Sequence, residues 1–515
     1  MNDSLSSPQP ADVASWQQRA WEAIQSGDIE QAMSCFREVV RLDSGIVEAW
    51  ANLAALSLRR GETTAAAEYY REAVNREPTN VALQKALIRA LREADQRDAA
   101  IEQCRAVLSQ HPQDAQLHQL LGNLLQEIDE YDSAVASLDR AIQLAGPTPV
   151  LLSNLGIARF RRGEIEEAIS CFRQAVQLQP EYADAHFHLG MALLLQGDFD
   201  QGWHEYDWRT GGANHPQSRR SLPRWTGQPL AGKTLLLAAE QGLGDTIQFI
   251  RFAPTIKQRY SCQVILYCQA SLRPLLSSCH GIDAIVTRDG PLPSADYFIP
   301  LLSIPSVLQF HPQRELAAAY LHAEPTRTLA WREKLNQVDD RTVARAQPRL
   351  RVGIAWQGDP KFPADRCRSI PLAQFQPLAQ IPSVQLFSLQ KGHGTEQLAD
   401  FRRSSKIHDF GDDLDASGGA FLDTAAILQS LDVVVTSDSA IAHLAGALGA
   451  PVWIALGHVP DWRWQLERSD CPWYPSARLF RQPRLGDWAS VFTSIAAHLQ
   501  QAGETSLVPT RGNFA

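Results

Sequence analysis

Over the first 210 residues the small and apolar positions recur every 34. Gly27, Gly61, Asp95, Asp129, Gly163 and Gly197 mark one register. Five positions later come Ala32, Ala66, Ala100, Ala134, Ala168 and Gly202, and four beyond those Phe36, Tyr70, Cys104, Leu138, Phe172 and Tyr206. Earlier in the units stand Leu53, Leu87, Leu121, Leu155 and Leu189, followed by Ala54, Gly122, Gly156 and Gly190 in four of the five cases. Pro78, Pro112 and Pro180 share the lattice, with Ser44 and Gly146 at its equivalent sites. Such a period predicts a helix–turn–helix unit. Gly or Asp closes the first helix in a left-handed residue, and small residues admit the second helix closely. Proline then ends the second helix. One unit cannot bury its apolar face, so six units are expected to stack as a solenoid.

After residue 210 the pattern changes. TGGANHPQSRRSLPRWTGQPL is rich in Gly, Pro, Arg and Trp and reads as a linker. Short apolar runs then alternate with helix-like stretches, which predicts a parallel α/β sheet. The first set comprises Lys233–Ala239, Val264–Tyr267, Ala284–Val286 and Tyr297–Ile299. The second comprises Arg351–Trp356, Val384–Leu389, Val433–Thr436 and Val452–Leu456. Helices are predicted over Leu372–Ala379, Phe421–Ser430, Ala440–Leu448 and Gly486–Gln500. The expected domains are a disordered tail over 1–12, repeats over 13–210, a linker over 211–230, two Rossmann-like lobes over 231–345 and 346–502, and a tail over 503–515. Ligands of such lobes bind at the C-terminal ends of the strands.

Composition narrows the function. The net charge of -9 argues against a nucleic-acid binder, since phosphate neutralisation needs a basic face. The eight cysteines are scattered without a C-x-x-C pair and read as reduced core residues, not as a disulfide frame or zinc site. No signal peptide or membrane-spanning run is visible, so a cytoplasmic protein is expected.

Four segments carry candidate chemistry. Gly227 to Thr234 matches G-x-x-x-x-G-K-T, but a turn precedes it and an apolar strand follows, the wrong context for a phosphate loop; Lys233 reads as the solvated start of a strand. Gly242-Leu-Gly244-Asp245 lies between strand and helix, where the glycines permit a tight turn and close approach of a ligand; Asp245 can be a general base or a helix cap. Thr436-Ser-Asp438-Ser439-Ala440-Ile-Ala-His443 brings a strand to a helix start whose free N–H groups suit an anionic diphosphate. There His443 is either a phosphate donor or a packed core histidine. In the loop after the first strand of the second lobe, Lys361, Arg366 and Arg368 are cations for a leaving diphosphate, or plain surface. Asp413 and Asp415 form a D-x-D in a Gly- and Asp-rich loop and are assigned no metal.

Residues 13–210 resemble the tetratricopeptide repeat. EQGLGDTIQFIRFAP, VGIAWQGDPK, RSIPLAQF, FSLQKG, DTAAILQSLDVVVTSDSAIAHLAGALGAPVW and PDWRWQLERSDCPWYPSARLFRQ resemble bacterial repeat-containing glycosyltransferases of the heptosyltransferase-like family nine. The resemblance implies a metal-independent, inverting GT-B enzyme that takes a nucleotide-diphosphate sugar and needs no cofactor. It implies Asp245 as general base, and Asp438, Ser439, Ala440 and His443 as the donor diphosphate site. Arg368 matches a basic residue that is usually lysine in the family, and Ala440 stands where glycine is common. The layout is also similar to that of the O-linked N-acetylglucosamine transferases, whose concave asparagines grip peptides; here Asn52 and Asn154 share that register with Ala86, Leu120 and His188. Protein or peptide partners and a homodimer are expected of the repeats. A non-catalytic scaffold and a nucleotide-sensing adaptor are the rival expectations.

Overall fold

The computed structural model describes residues 12–210, 222–313, 319–338, 350–362 and 364–505. The tail before residue 12, most of the predicted linker (211–221), the expected boundary between the lobes (339–349) and the end of the C-terminal tail (506–515) lie outside the described residues. The chain forms two compact units, Met1–Pro180 and Glu181–Ala515.

The first unit is an all-helical solenoid of five helix pairs: α1 (Val13–Ser26) with α2 (Ile29–Leu42), α3 (Val47–Arg59) with α4 (Thr63–Arg76), α5 (Val81–Glu93) with α6 (Arg97–Gln110), α7 (Ala115–Glu127) with α8 (Tyr131–Ala145), and α9 (Pro149–Arg162) with α10 (Ile165–Leu178). The 34-residue lattice maps onto it directly. Gly27, Gly61, Asp95, Asp129 and Gly163 all take positive φ between the helices of a pair. Ala32, Ala66, Ala100, Ala134 and Ala168 are fully buried. Side-chain caps from Asp12, Asp28, Asn80, Asp114 and Thr148 satisfy free N–H groups at helix starts. Helices α4, α6 and α10 end at Arg76, Gln110 and Leu178, each two residues before a proline.

The small residue in the first helix of a pair faces the large one in the second. A Cβ on Gly156 would lie 2.6 Å from Phe172 Cε1, and one on Gly122 would lie 2.6 Å from Leu138 Cγ. These glycines serve close packing, not a turn.

The second unit opens with α11 (Ala183–Gln196) and α12 (Phe199–Tyr206), the sixth repeat, and continues with two parallel sheets. The first comprises β1 (Thr234–Ala238), β2 (Gln263–Cys268), β3 (Ala284–Thr287) and β4 (Tyr297–Pro300), in the order β3-β2-β1-β4. The second comprises β5 (Leu350–Ala355), β6 (Val384–Ser388), β7 (Ile407–Asp409), β8 (Val433–Ser437), β9 (Val452–Leu456) and β10 (Ala477–Arg481), in the order β10-β9-β8-β5-β6-β7. All their pairings are parallel, with Thr234 opposite Gln263 and Val352 opposite Val433. Leu235, Leu236 and Leu237 are buried on both faces of the first sheet, as a covered parallel sheet demands. The second sheet has the doubly wound order: successive strands are added to one side from β5 to β7 and to the other from β8 to β10, which makes the C-terminal ends of β5 and β8 a topological switch point.

The eight predicted strands form within one residue of their expected ends, and β7 and β10 are additional. Helix Trp488–Thr505 runs past residue 502 into the predicted tail. The sixth repeat shares the sequence period of the other five but packs into the second unit. Trp203 Nε1 donates to the carbonyl of Phe310 at 2.9 Å, and its ring meets Trp462 and Trp473 edge-on. The cysteines are all free, seven of them buried, and burial pushes the Cys104 and Cys279 thiols up to about 12. Among the described residues no helix is long and apolar enough to cross a membrane.

Gly156→Ala is expected to destabilise the first unit by about 1–3 kcal/mol through overpacking against Phe172. Phe172→Leu in the same chain is expected to restore part of the loss, both read by urea unfolding.

Candidate functional site

The site lies where the helix that follows β1 meets the helix that follows β8. After β1 the chain turns through Gly242 into the helix Leu243–Phe249, and after β8 it turns through Asp438 and Ser439 into the helix Ala440–Ala447. These two helix starts touch. A Cβ on Gly244 would fall 2.8 Å from His443 Cδ2 and 3.3 Å from Ala440 Cα. Gly242 has ordinary extended backbone, so it is Gly244 that the geometry restricts to glycine, and the group that approaches it is the other helix. The expected close approach of a ligand to Gly244 is thus taken by protein.

Asp245 is three residues into its helix. Its Oδ2 accepts the Gly242 amide at 2.9 Å, so the capping expectation is met. Its Oδ1 accepts Arg463 Nη2 at 2.5 Å. Burial pushes the Asp245 carboxyl above its ordinary value, Arg463 pulls it back and Asp461 adds to the rise.

Arg463, absent from the sequence expectations, is buried in the short turn Trp462–Trp464 beyond β9. Its Nε donates to Gln248 Oε1 at 2.5 Å and its Nη1 to Asp461 Oδ1 at 2.9 Å. Burial opposes its charge, but Asp461 and Asp245 raise its affinity for the proton.

On the second sheet, Ser439 precedes the helix Ala440–Ala447 without capping it by side chain; its hydroxyl is 3.2 Å from that of Thr436. The first-turn N–H groups of that helix therefore have no side-chain cap. Asp438 is buried, and desolvation first, then the nearby charge of Asp461, raises its carboxyl to about 6 against the pull of Arg368. His443 is packed. It stacks on Trp464 with centroids 5.4 Å apart, and its Nδ1 is 2.9 Å from the Tyr474 hydroxyl. Burial, with Arg463, Arg251 and Arg368 nearby, pushes it well below its ordinary value, so it is neutral at pH 7.

Arg368 comes to this cluster from the loop after β5, with its Nε 3.2 Å from Asp365 Oδ1 and its guanidinium over Phe362. Lys361 is exposed; its amide donates to Asp359 Oδ1 at 3.0 Å, and among the described residues no contact joins its ammonium to the cluster. Asp415 of the D-x-D caps a helix, accepting from the amides of Asp423 at 2.6 Å and Thr424 at 3.2 Å. Lys233 leads into β1 and pairs with Asp296 at 3.2 Å, so a strand stands where a phosphate loop requires a helix.

Tetratricopeptide-repeat models match residues 18–81, 57–124 and 115–147, and a TPR-repeat model matches residues 156–197. The first unit thus carries tetratricopeptide repeats, and the match extends through the first helix of the sixth repeat. Protein FlbA of Caulobacter vibrioides is 28% identical over 347 residues, which span 61% of this chain and 54% of that protein. The chain therefore matches about half the length of that relative. Among solved structures, MamA of Desulfovibrio magneticus is similar at 16% identity and a TM-score of 0.31, covering 33% of this chain and 96% of that one. A TPR protein of Thermus thermophilus, TTC0263, is similar at 23% identity and a TM-score of 0.28, covering 36% of this chain and 100% of that one.

The raised Asp438 carboxyl makes a prediction about stability. An unfolded aspartate titrates near ~3.9, so the stability its burial leaves intact is fully present below that pH and is lost as pH rises through about 6. Asp438→Asn is therefore expected to melt increasingly above the wild type as pH rises across this window, by up to about 3 kcal/mol. Thermal melts of both proteins across that range check this.

Proposed function

We propose that the second unit is a glycosyltransferase of GT-B type. Its substrate would be a nucleotide-diphosphate sugar bound at the crevice between β5 and β8, with inversion at the anomeric carbon and without a metal. The observation that carries this reading is the contact, through Gly244, of the helix start that holds Asp245 with the uncapped start of the helix Ala440–Ala447 at the switch point of the second sheet. A carboxylate and a set of N–H donors facing one point are what such a transfer needs.

In this reading the acceptor hydroxyl oxygen attacks the anomeric carbon while the bond from that carbon to the diphosphate oxygen breaks. Asp245 takes the hydroxyl proton on a lone pair that Gly242 and Arg463 leave free, since each carboxylate oxygen has two. The nucleoside diphosphate departs with the bonding pair, and the N–H groups at Ala440 together with Arg368 receive its charge. Protonation of Asp438, whose carboxyl is raised to about 6, would favour an incoming diphosphate as the pH falls. The tetratricopeptide repeats would bring the protein or peptide partner. The match to FlbA spans a larger share of the chain than the repeats alone can fill, in keeping with an ancestry shared beyond them.

A second reading rests on the contact of Gly244 with His443 and Ala440 and on the pairing of Asp245 with Arg463. Both occupy the surfaces a ligand would use, as in a repeat scaffold whose α/β part has lost turnover.

Thermal shift with a panel of nucleoside diphosphates and nucleotide sugars separates the two. A donor at 100 times its Kd is expected to stabilise the protein by about 2.7 kcal/mol. Asp245→Asn is expected to keep that shift and lose roughly 10²–10⁴ in transfer rate. A well-folded chain that no nucleotide stabilises would sink the transferase reading in favour of the scaffold.

A further inference from the structure

Resting on the transferase reading, we propose that Arg463 is the positioning residue for Asp245. It reaches from the second sheet's side of the cleft to hold the carboxylate in place and to balance its charge.

The geometry is unusually complete. Each of the three guanidinium nitrogens has a partner, and two of them reach one helix of the opposite lobe: Nη2 to Asp245 and Nε to Gln248, both at 2.5 Å. These two residues are three apart and so share a face of the helix Leu243–Phe249. The third direction goes to Asp461, which also accepts the Arg463 amide at 3.0 Å and so ties side chain to backbone. The guanidinium lies over the Trp462 ring, 4.3 Å from its centroid. Behind it, Arg481 Nη2 donates to the carbonyls of Trp464 and Gln465, each at 2.7 Å, and pins the turn that carries Arg463.

Asp245 consequently has one oxygen fixed by its own helix start and the other fixed across the cleft. Rotation of the carboxylate would break both contacts. The charged and titratable groups around it are Arg463 and Asp461 from the 461–464 turn, Arg368 from the loop after β5, and Tyr206 from α12. Neutral His443 and buried Asp438 lie beyond, on the second sheet's side. Without Arg463, the remaining cation, Arg368, would face the carboxylates of Asp245 and Asp461 together. A buried carboxyl in that setting takes up a proton and cannot serve as a base at neutral pH.

The test uses the full chain as wild type, Arg463→Gln, Arg463→Lys, Asp245→Asn and the Arg463→Gln/Asp245→Asn pair. Its first readout needs no activity. The change in Tm caused by Asp245→Asn is measured at about pH 5 and about pH 8, with and without Arg463→Gln. Asp245→Asn is expected to gain in Tm between the two pH values by about 3 °C more when Arg463 is replaced, because an unbalanced buried carboxylate costs stability as it ionises. The same pH dependence in both backgrounds overturns the proposal, whatever the enzyme does. The second readout is kinetic: in Arg463→Gln the acid limb of kcat/KM is expected to move up by about one unit and kcat to fall about tenfold or more, with KM for the nucleotide sugar little changed. Arg463→Lys, which keeps the charge but not the fork, is expected to restore the limb and only part of kcat. An unmoved limb overturns the proposal, leaving Arg463 a packing residue. A wild type with no transfer at all fails the parent reading, while the melting comparison still decides the role of Arg463.

Discussion

A buried guanidinium cannot be left unpaired, and Arg463 fixes much of the second unit by meeting that demand. Its partners lie on two elements far apart in the chain, so the charge can be satisfied only when the helix Leu243–Phe249 and the turn Trp462–Trp464 are in register. Removing one partner of such a buried pair costs far more than the pair adds over apolar packing, because the other charge is stranded. The arrangement therefore contributes less to total stability than to the choice of one geometry. Ring packing acts in the same direction. Trp203 and Tyr206 of the sixth repeat, Phe249 and Phe310 of the segments around the first sheet, and Trp462 and Trp473 beyond β9 pack around the Arg463 turn.

Most of the architecture is legible in the sequence because it rests on local rules. The 34-residue lattice registers residues whose reasons are local: a left-handed helix end, a small contact, a chain-breaking proline. The long strands announce themselves as apolar runs such as Leu235–Leu237 and Val433–Val435, which a covered parallel sheet requires. The two missed strands lack that signature. β7 has three residues, His408 among them, and β10 is bracketed by Arg478 and Arg481.

The candidate site was legible only in part, and the reason is distance along the chain. Asp438 and Ser439 stand in a turn between strand and helix, and Asp245 and His443 in the first turns of the helices that follow such turns, where sequence marks them. Arg463 does not, because its partner Asp245 lies 218 residues away. The one available signal was the Asp461-Trp-Arg463-Trp sequence, a charge pair set among tryptophans, which implies burial and hence a need for counter-charge. Gly244 has the property the sequence marks, close approach, and the groups that approach it in the structure are His443 and Ala440. Lys361 and Arg368 share a loop, and only its folded path distinguishes the exposed lysine from the arginine that Asp365 anchors.

The place of the sixth repeat gives the chain two different borders. The pattern of residues ends near residue 210, whereas the compact unit begins at Glu181. By sequence, α11 and α12 are one more copy of an old module; by packing, they are a wall of the aromatic core around Trp462. A recombination event that exchanged repeat arrays at the end of the periodicity would strip that wall from its core, whereas one that crossed over near Pro180 would leave it intact. The heritable module and the folding module are thus offset by one repeat, and only the first five units are free to be shortened, lengthened or replaced as a matter of descent.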